Sequence, residues 1–274
     1  MRTLHPSLPA RIEAFVFDWA GTTIDYGCHA PVVVFQQAFR ELGVEVSDAE
    51  ARGPMGMAKW DHLQTMLQMP RIAARFREVH GREGRDADVD AMYARFLPLQ
   101  VEEVSRHALL VPGFRDLMML LRERGIAIGS TTGYPKEVMA RLLPLAAEQG
   151  YAPRCALDAT DVRFGRPKPW LVFRAMELLD VHPPSAVVVV DDTPVGVRAG
   201  VAAGCFTVGV VETSNGMGLT REGVAKLRAE DPAAYTARYA AVERSHIEAG
   251  AHLVVPSVAS LVVDVNAGAA GGVR

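Results

Sequence analysis

The stretch that most constrains the fold of this chain is an apolar run that ends in a single carboxylate. Residues 15–17 are apolar, Asp18 follows them directly, and a Gly21-Thr22 turn comes three residues later. This pattern predicts a strand that delivers Asp18 to the carboxyl edge of a sheet, where α/β proteins build their sites. The backbone N–H groups and hydroxyls of the turn could hold an anion such as a phosphoryl group.

Strand and helix signals alternate from residue 109 onward. Five short apolar runs, separated by stretches with helical periodicity, read as strands; they are residues 126–131, 155–157, 186–190, 206–211 and 252–255. Strands that alternate with helices form a parallel sheet covered on both faces. The predicted fold class is therefore α/β, with a doubly wound parallel sheet. The Gly/Ala-rich tail from residue 267 is expected to be frayed.

A helical segment separates the first strand from this alternating part. Residues 26–105 have helical periodicity with no β-rich run, and Ser47 and Glu50 have the spacing of a capping box. We therefore expect an α/β core of residues 1–25 and 106–274 with an inserted all-helical cap of residues 26–105. A chain of 274 residues is long enough for one large domain and a smaller insertion.

The composition argues against several classes of function. A net charge of −3 disfavours a nucleic-acid or anionic-membrane partner. No apolar run approaches the roughly 20 residues that a membrane-spanning helix needs, and the N-terminus lacks the apolar region of a signal peptide. The three cysteines are scattered and match no disulfide or zinc pattern. We expect a cytoplasmic protein that acts on a small molecule, without a nucleic-acid or membrane partner.

Polar residues follow three further predicted strands, so that they would lie beside Asp18 in such a sheet. In chain order they are Thr132-Gly133-Tyr134, Arg166 with Lys168, and Asp191-Asp192. A fixed cation such as Arg166 would offset the repulsion between Asp18 and a dianionic substrate, since like charges at ~4 Å cost about 4 kcal/mol at an effective dielectric of about 20. Lys168 is a competing candidate for that cation. Paired carboxylates at a buried strand end need a cation beside them, and oxygen-only ligands suit Mg²⁺.

A lysine in the helical segment has the surroundings of an amine nucleophile. Lys59 lies in the first turn of a predicted helix, flanked by Met57 and Trp60, and His62 follows on the same face as a candidate proton relay. The positive helix end and partial desolvation both disfavour the ammonium, which would lower the lysine pKa from about 10.4 towards about 7–8. The alternative is an exposed helix lysine whose stem covers apolar neighbours, just as each strand-end motif taken alone could be an ordinary turn.

Together these motifs resemble the phosphonatase branch of the haloacid dehalogenase (HAD) superfamily, over nearly the full length of the chain. The segments that carry the resemblance are Asp18-Trp19-Ala20-Gly21-Thr22-Thr23, Asp25-Tyr26-Gly27-Cys28, Pro54-Met55-Gly56, Lys59 with Asp61-His62, Met69-Pro70-Arg71-Ile72-Ala73, and Ser130 to Tyr134. The resemblance implies hydrolysis of the C–P bond of phosphonoacetaldehyde to acetaldehyde and inorganic phosphate. It also implies a Mg²⁺ cofactor and a homodimer.

The resemblance implies roles for individual residues as well. Asp18 would take the phosphoryl group as an aspartyl-phosphate, and Lys59 would form a Schiff base with the substrate aldehyde. Thr132 and Arg166 would contact the phosphoryl oxygens. The residues expected to bind the substrate are Cys28, Met55, Gly56, Thr132, Gly133, Tyr134 and Arg166. The expected Mg²⁺ ligands are Asp18, Asp192 and the backbone carbonyl of Ala20.

Two positions depart from the general HAD pattern. Phosphatases and mutases of the superfamily usually carry an Asp two residues after the nucleophile, as general acid, where Ala20 stands here. Cleavage of a C–P bond needs no such acid, because the bonding electrons are drawn into a protonated imine. The alanine at position 20 therefore agrees with the Schiff base expected at Lys59. HAD members often carry another Asp four residues after Asp192; Gly196 stands there, and we expect more water at the metal site.

Two alternative functions stay open at this point. A generic HAD phosphatase or sugar-phosphate mutase would keep the fold and Asp18 but should have an Asp at position 20. A non-enzymatic HAD-like binding protein would tolerate the loss of Asp18, Arg166 or Asp192, yet all three are present.

Overall fold

The fold is seen in a computed structural model that describes residues 8–270, so residues 1–7 and 271–274 lie outside the description. Its centre is a six-stranded sheet in which every paired strand is parallel, with the order β3-β2-β1-β4-β5-β6. The strands are β1 (Ala14–Phe17), β2 (Ala127–Thr131), β3 (Cys155–Leu157), β4 (Val187–Asp191), β5 (Phe206–Val210) and β6 (Leu253–Val255). This sheet confirms the predicted doubly wound α/β fold.

The strand order places the carboxyl ends of three strands side by side. Strand β1 pairs with β2 on one side and with β4 on the other, and Phe17 is in register with both Ser130 and Val190. Strands β1, β2 and β4 are buried along their whole length, as near-continuous apolar strands of a parallel sheet should be. The residues that follow these strands therefore meet at one crevice, where the strand order reverses.

Seven helices follow β1 and the helical segment in the described part of the core. They are α6 (Phe114–Glu123), α7 (Lys136–Glu148), α8 (Trp170–Leu179), α9 (Pro194–Ala202), α10 (Arg221–Glu230), α11 (Pro232–Glu248) and α12 (Ser260–Ala270). Residues 267–270 of the tail are helical rather than frayed, and the expectation for residues 271–274 falls outside the described part of the chain. None of the helices described has the length and apolarity needed to cross a membrane.

The segment between β1 and β2 is helical and has a hydrophobic core of its own. Its helices are α1 (His29–Arg40), α2 (Asp48–Arg52), α3 (Lys59–Leu67), α4 (Pro70–His80) and α5 (Asp86–Arg106). The largest side chains of its core are Phe35, Phe39, Leu63, Phe76 and Phe96. The predicted capping box at α2 is confirmed, since Ser47 and Glu50 bond to each other's backbone N–H groups. An inserted cap needs such a separate core, and its boundaries at residues 26 and 105 stay predictions.

The two connections between the helical segment and the sheet touch each other. Ile24 pairs with Leu110, and the Asp25 carboxylate accepts hydrogen bonds at 3.0 Å from the backbone N–H groups of His29 and Ala30, which begin α1. His107, just after α5, lies 3.4 Å from the same carboxylate. Asp25 therefore ties the start of the segment to its end.

Candidate active site

Three buried carboxylates meet at the crevice. One carboxylate oxygen from each of Asp18, Asp191 and Asp192 lies within 4.8 Å of the others. Asp18 follows β1 and the other two come at the end of β4, so the register of these neighbouring strands brings them together. Burial and the nearby charge of Asp191 raise the pKa of Asp18 to about 7, against the opposing influence of Arg166.

Arg166 is the cation of this cluster. Its Nη1 donates to Asp18 Oδ1 at 2.6 Å and lies 3.2 Å from Asp191 Oδ2, while its Nη2 donates to the backbone oxygen and to Oγ1 of Thr131, both at 2.7 Å. Arg166 is buried, whereas the competing candidate Lys168 is exposed. The structure therefore brings Arg166, and not Lys168, to the carboxylates.

Asp191 occupies the space that a side chain at position 196 would need. A Cβ atom at Gly196 would overlap the Asp191 carboxylate. That carboxylate accepts hydrogen bonds through Oδ1 from the N–H of Thr193 at 2.9 Å and from its hydroxyl at 2.8 Å, and its Oδ2 faces Arg166. Protein atoms therefore fill the space beside Gly196, and the expectation of more water at the metal site stays a prediction.

Asp192 has one carboxylate oxygen that accepts hydrogen bonds from the protein and one that accepts none from the described residues. Its Oδ2 accepts from the N–H of Asn215 at 2.7 Å and faces the Cys28 thiol at 3.4 Å, whereas its Oδ1 is buried and meets no hydrogen-bond partner among residues 8–270. Burial and the charge of Asp18 raise the pKa of Asp192 well above its ordinary value. An orphaned carboxylate oxygen within an oxygen-only cluster fits a divalent cation, which would reverse this shift.

Lys59 begins helix α3 and is almost wholly buried, with 5% of its surface exposed. Its Nζ lies 5.0 Å from the ring centre of Tyr134, 5.4 Å from that of Phe35 and 3.9 Å from Met55 Sδ. Burial lowers the pKa of Lys59 to about 8, in the direction expected from the sequence. A part of the protein molecules then carries Lys59 as a free amine near neutral pH.

Lys59, Asp18 and Asp192 line one narrow cavity between the helical segment and the sheet. Its walls are Asp18, Ala20, Cys28, Pro31, Met55, Gly56, Lys59, Thr132, Gly133, Tyr134, Arg166, Asp192 and Thr193. Every residue expected to bind the substrate is among them, and so is Ala20. A Cβ atom at Gly133 would overlap the backbone oxygen of Met57, so this glycine permits the close approach of the two sides.

His62 is not brought to the cavity. It is fully buried behind Lys59, its Nε2 lies 2.9 Å from the backbone oxygen of Ala51, and its ring centre lies 3.8 Å from that of Phe35. Burial lowers the pKa of His62 well below its ordinary value, so the ring is neutral. The predicted proton relay therefore has no contact with the cavity to support it.

Sequence reasoning missed Pro31 and Thr193 among the wall residues, and it missed Asn215 beside Asp192. Thr193 could have been found, since it directly follows the paired carboxylates and caps helix α9. Asn215 lies 23 residues beyond Asp192, in a loop that no motif marks.

Known proteins resemble the chain in both sequence and structure. The family described as haloacid dehalogenase-like hydrolase matches residues 12–204. A phosphonoacetaldehyde hydrolase from Pseudomonas fluorescens (strain SBW25) is 39% identical over 267 residues, which cover 96% of each chain. One from Nitratidesulfovibrio vulgaris (strain DSM 19637 / Miyazaki F) is 43% identical over 248 residues, covering 90% of this chain and 88% of the relative.

Solved structures give the same picture. The crystal structure of a phosphonoacetaldehyde hydrolase-like protein from Oleispira antarctica matches with a TM-score of 0.89 and 37% identity, over 100% of this chain and 99% of that one. A β-phosphoglucomutase from Clostridium difficile matches with a TM-score of 0.64 at 17% identity, over 93% of this chain and 98% of that one. The second likeness shows a common fold and no more.

Proposed function

We propose that this chain hydrolyses the C–P bond of phosphonoacetaldehyde to acetaldehyde and inorganic phosphate. The chain belongs to the haloacid dehalogenase-like hydrolases and, among them, to the phosphonoacetaldehyde hydrolase family. The observation that carries the proposal is the composition of one cavity. A buried lysine with a lowered pKa lies there together with a strand-end carboxylate and its arginine, while Ala20 stands where an ester-cleaving relative needs an acid.

The first chemical step takes place at Lys59. Its free amine attacks the aldehyde carbon, water leaves, and a protonated imine forms between the nitrogen and that carbon. The imine is an electron sink next to the carbon that carries the phosphorus. Burial of Lys59 against Tyr134 and Phe35 supports this step, because it favours the neutral amine and keeps water from the product.

The second step takes place at Asp18. Its carboxylate attacks the phosphorus, the C–P bond breaks, and the bonding electrons move into the imine to leave an enamine on Lys59. Water then hydrolyses the aspartyl-phosphate, while the enamine takes a proton on carbon and its imine is hydrolysed to acetaldehyde and free Lys59. Arg166, held by Asp18 and Thr131, offsets the negative charge at the phosphorus, and Thr132 borders the same space.

The proposal includes a Mg²⁺ ion held by Asp18, Asp192 and the backbone carbonyl of Ala20. The orphaned Oδ1 of Asp192 and the oxygen-only donor set support it. When bound, the cation supplies positive charge that lets the two carboxylates and the phosphonate lie together. A cap of residues 26–105, a homodimer and a cytoplasmic location are also part of the proposal, the last two on the family resemblance alone.

A substrate panel tests the proposal against a generic phosphatase and against a binding protein. With Mg²⁺ present, kcat/KM for phosphate release from phosphonoacetaldehyde should exceed that from phosphate monoesters by at least about 100-fold, because general acid catalysis of ester cleavage is worth about 10²–10⁴-fold and Ala20 cannot supply it. Measured inorganic phosphate gives the answer. Comparable rates on esters would indicate a phosphatase, and no release from any compound would indicate a non-catalytic protein.

The lowered pKa of Lys59 predicts the pH dependence of turnover. The free amine is the reactive form, so kcat/KM should level off above a pH of about 8 and fall about tenfold between pH 8 and pH 7, with a steeper fall below about 7 if Asp18 keeps its raised pKa. A pH–rate profile checks this. Because the phosphonate titrates too, the rate at which a small acylating reagent modifies Lys59 without substrate should be measured over the same range. A modification rate that stays flat from pH 6 to pH 8.5, a range chosen to bracket the pKa of about 8, would contradict the prediction.

A further inference from the structure

A polar contact outside the cavity joins the helical segment to the sheet. Arg52 ends helix α2, and its side chain is 11% exposed. Its Nη1 donates to the backbone oxygen of Gly27 at 2.8 Å and lies 3.2 Å from Asn215 Oδ1, while Asn215 Nδ2 donates to the backbone oxygen of Arg52 at 3.0 Å. The two residues are 163 positions apart in the chain, and the side chain of each donates a hydrogen bond to the other residue.

The loop that carries Asn215 touches the rest of the site at three other points. The N–H of Asn215 donates to Asp192 Oδ2 at 2.7 Å. The hydroxyl of Thr213 donates to the backbone oxygen of Gly21, and its backbone oxygen accepts from the N–H of Gly27 at 2.8 Å. One short loop thus contacts a carboxylate of the site, the loop after Asp18, the connection into the helical segment, and Arg52 itself.

The hydrogen bonds of Arg52 are of a kind that can break and form again. Its guanidinium is directed at carbonyl and amide oxygens, the nearest carboxylate being that of Asp48 at 3.9 Å, and its Nη2 is buried with no hydrogen-bond partner in the described part of the chain. A buried guanidinium that lacks some hydrogen-bond partners regains only part of the hydration free energy that it lost on burial. The closed contact is therefore only slightly favoured over an open one. Opening would return the guanidinium to water.

We propose that Arg52 and Asn215 form a clasp that holds the helical segment closed over the cavity. The proposal rests on the proposed function in so far as Lys59 and Asp18, which lie on opposite sides of the cavity, must act on one substrate. The cavity is small and Lys59 is almost wholly buried, so a substrate enters only when the two sides separate. Neither residue lines the cavity, and both are positioning residues.

The test measures closure directly, by the rate at which a small acylating reagent modifies Lys59 in the whole protein without substrate. Peptide mass spectrometry locates the modification. Arg52→Ala and Asn215→Ala should each raise the rate about tenfold, and the double variant should raise it no further, because the two residues act as a unit. Asn215→Ala keeps the backbone N–H that bonds to Asp192, so it separates the clasp from a direct effect on that carboxylate.

The matched control is Arg82→Ala, which removes an arginine paired twice with Asp88 at 2.7 Å inside the helical segment. It should leave the modification rate of Lys59 unchanged. In the two clasp variants, KM should rise by less than about twofold, because a tenfold larger open fraction still leaves most of the protein closed before the substrate binds.

Unchanged Lys59 modification in Asn215→Ala would overturn the proposal, even if Arg52→Ala failed to fold. An equal rise in Arg82→Ala would also overturn it, because the effect would then be general loosening. Closure protects Lys59 from the reagent whatever reaction the protein catalyses. This result therefore does not depend on whether the protein cleaves phosphonoacetaldehyde.

Discussion

Replacing Lys59 with arginine should abolish turnover as completely as removing the side chain. Arginine keeps the positive charge but stays protonated, so it has no nucleophilic amine with which to form an imine. Both Lys59→Arg and Lys59→Ala should lower kcat/KM by about 10⁴-fold or more, the scale seen when a covalent nucleophile is lost. Phosphate release from phosphonoacetaldehyde is the measurement.

Borohydride separates the imine from a purely electrostatic role of Lys59. Added together with phosphonoacetaldehyde, it should inactivate the enzyme and leave a covalent mass on Lys59, which peptide mass spectrometry can locate. Lys226→Arg is the matched control, since Lys226 is exposed on α10 beside Glu230, and it should change neither activity nor trapping. Substantial activity in Lys59→Arg together with no trapped adduct would mean that Lys59 merely attracts the phosphonate, and the proposed function would fall.

Loss of the Asp18 carboxylate should be equally severe. Asp18→Ala and Asp18→Asn are expected to lower phosphate release by about 10⁴-fold or more, because neither side chain can take up the phosphoryl group. The asparagine variant keeps the shape and an oxygen that accepts from Arg166, so the fold should be retained, as circular dichroism and a melting temperature would show. Retained phosphate release in either variant would refute the assignment.

The Asp18 variants also separate the two halves of the reaction. Lys59 should still form its imine in Asp18→Asn, so borohydride should still add mass at Lys59 although no phosphate is released. In the unmodified enzyme, excess EDTA should stop phosphate release if a divalent cation is bound at Asp18 and Asp192. Full activity under chelation would remove the cation from the proposed mechanism.

The fold and the meeting of the strand-end residues were predictable because strand signals and strand-end residues are local. The apolar run before Asp18 and the valine run before Asp191 identify two strands, and pairing of those strands brings the carboxylates together. The family predicted from these motifs is confirmed by relatives with 39% and 43% identity.

Other features depended on contacts that no local pattern carries. Arg166 and Lys168 lie in one loop, and only burial shows which of them reaches Asp18. Helical spacing placed His62 near Lys59, but it could not show that Phe35 and the backbone of Ala51 enclose the ring. The pairing of Arg52 with Asn215 joins two segments that have no common motif.

The overlap between Asp191 and any side chain at position 196 bears on how such enzymes should be engineered. The Asp191 carboxylate, from the end of β4, fills the volume that the first side-chain atom at position 196 would enter, so an acidic group stands beside Arg166 although position 196 has none. An alignment column would score one loss and one unrelated gain. A designer who put an aspartate at position 196 to restore the family pattern would force two carboxylates into one volume beside Arg166, and would need to remove Asp191 in the same step.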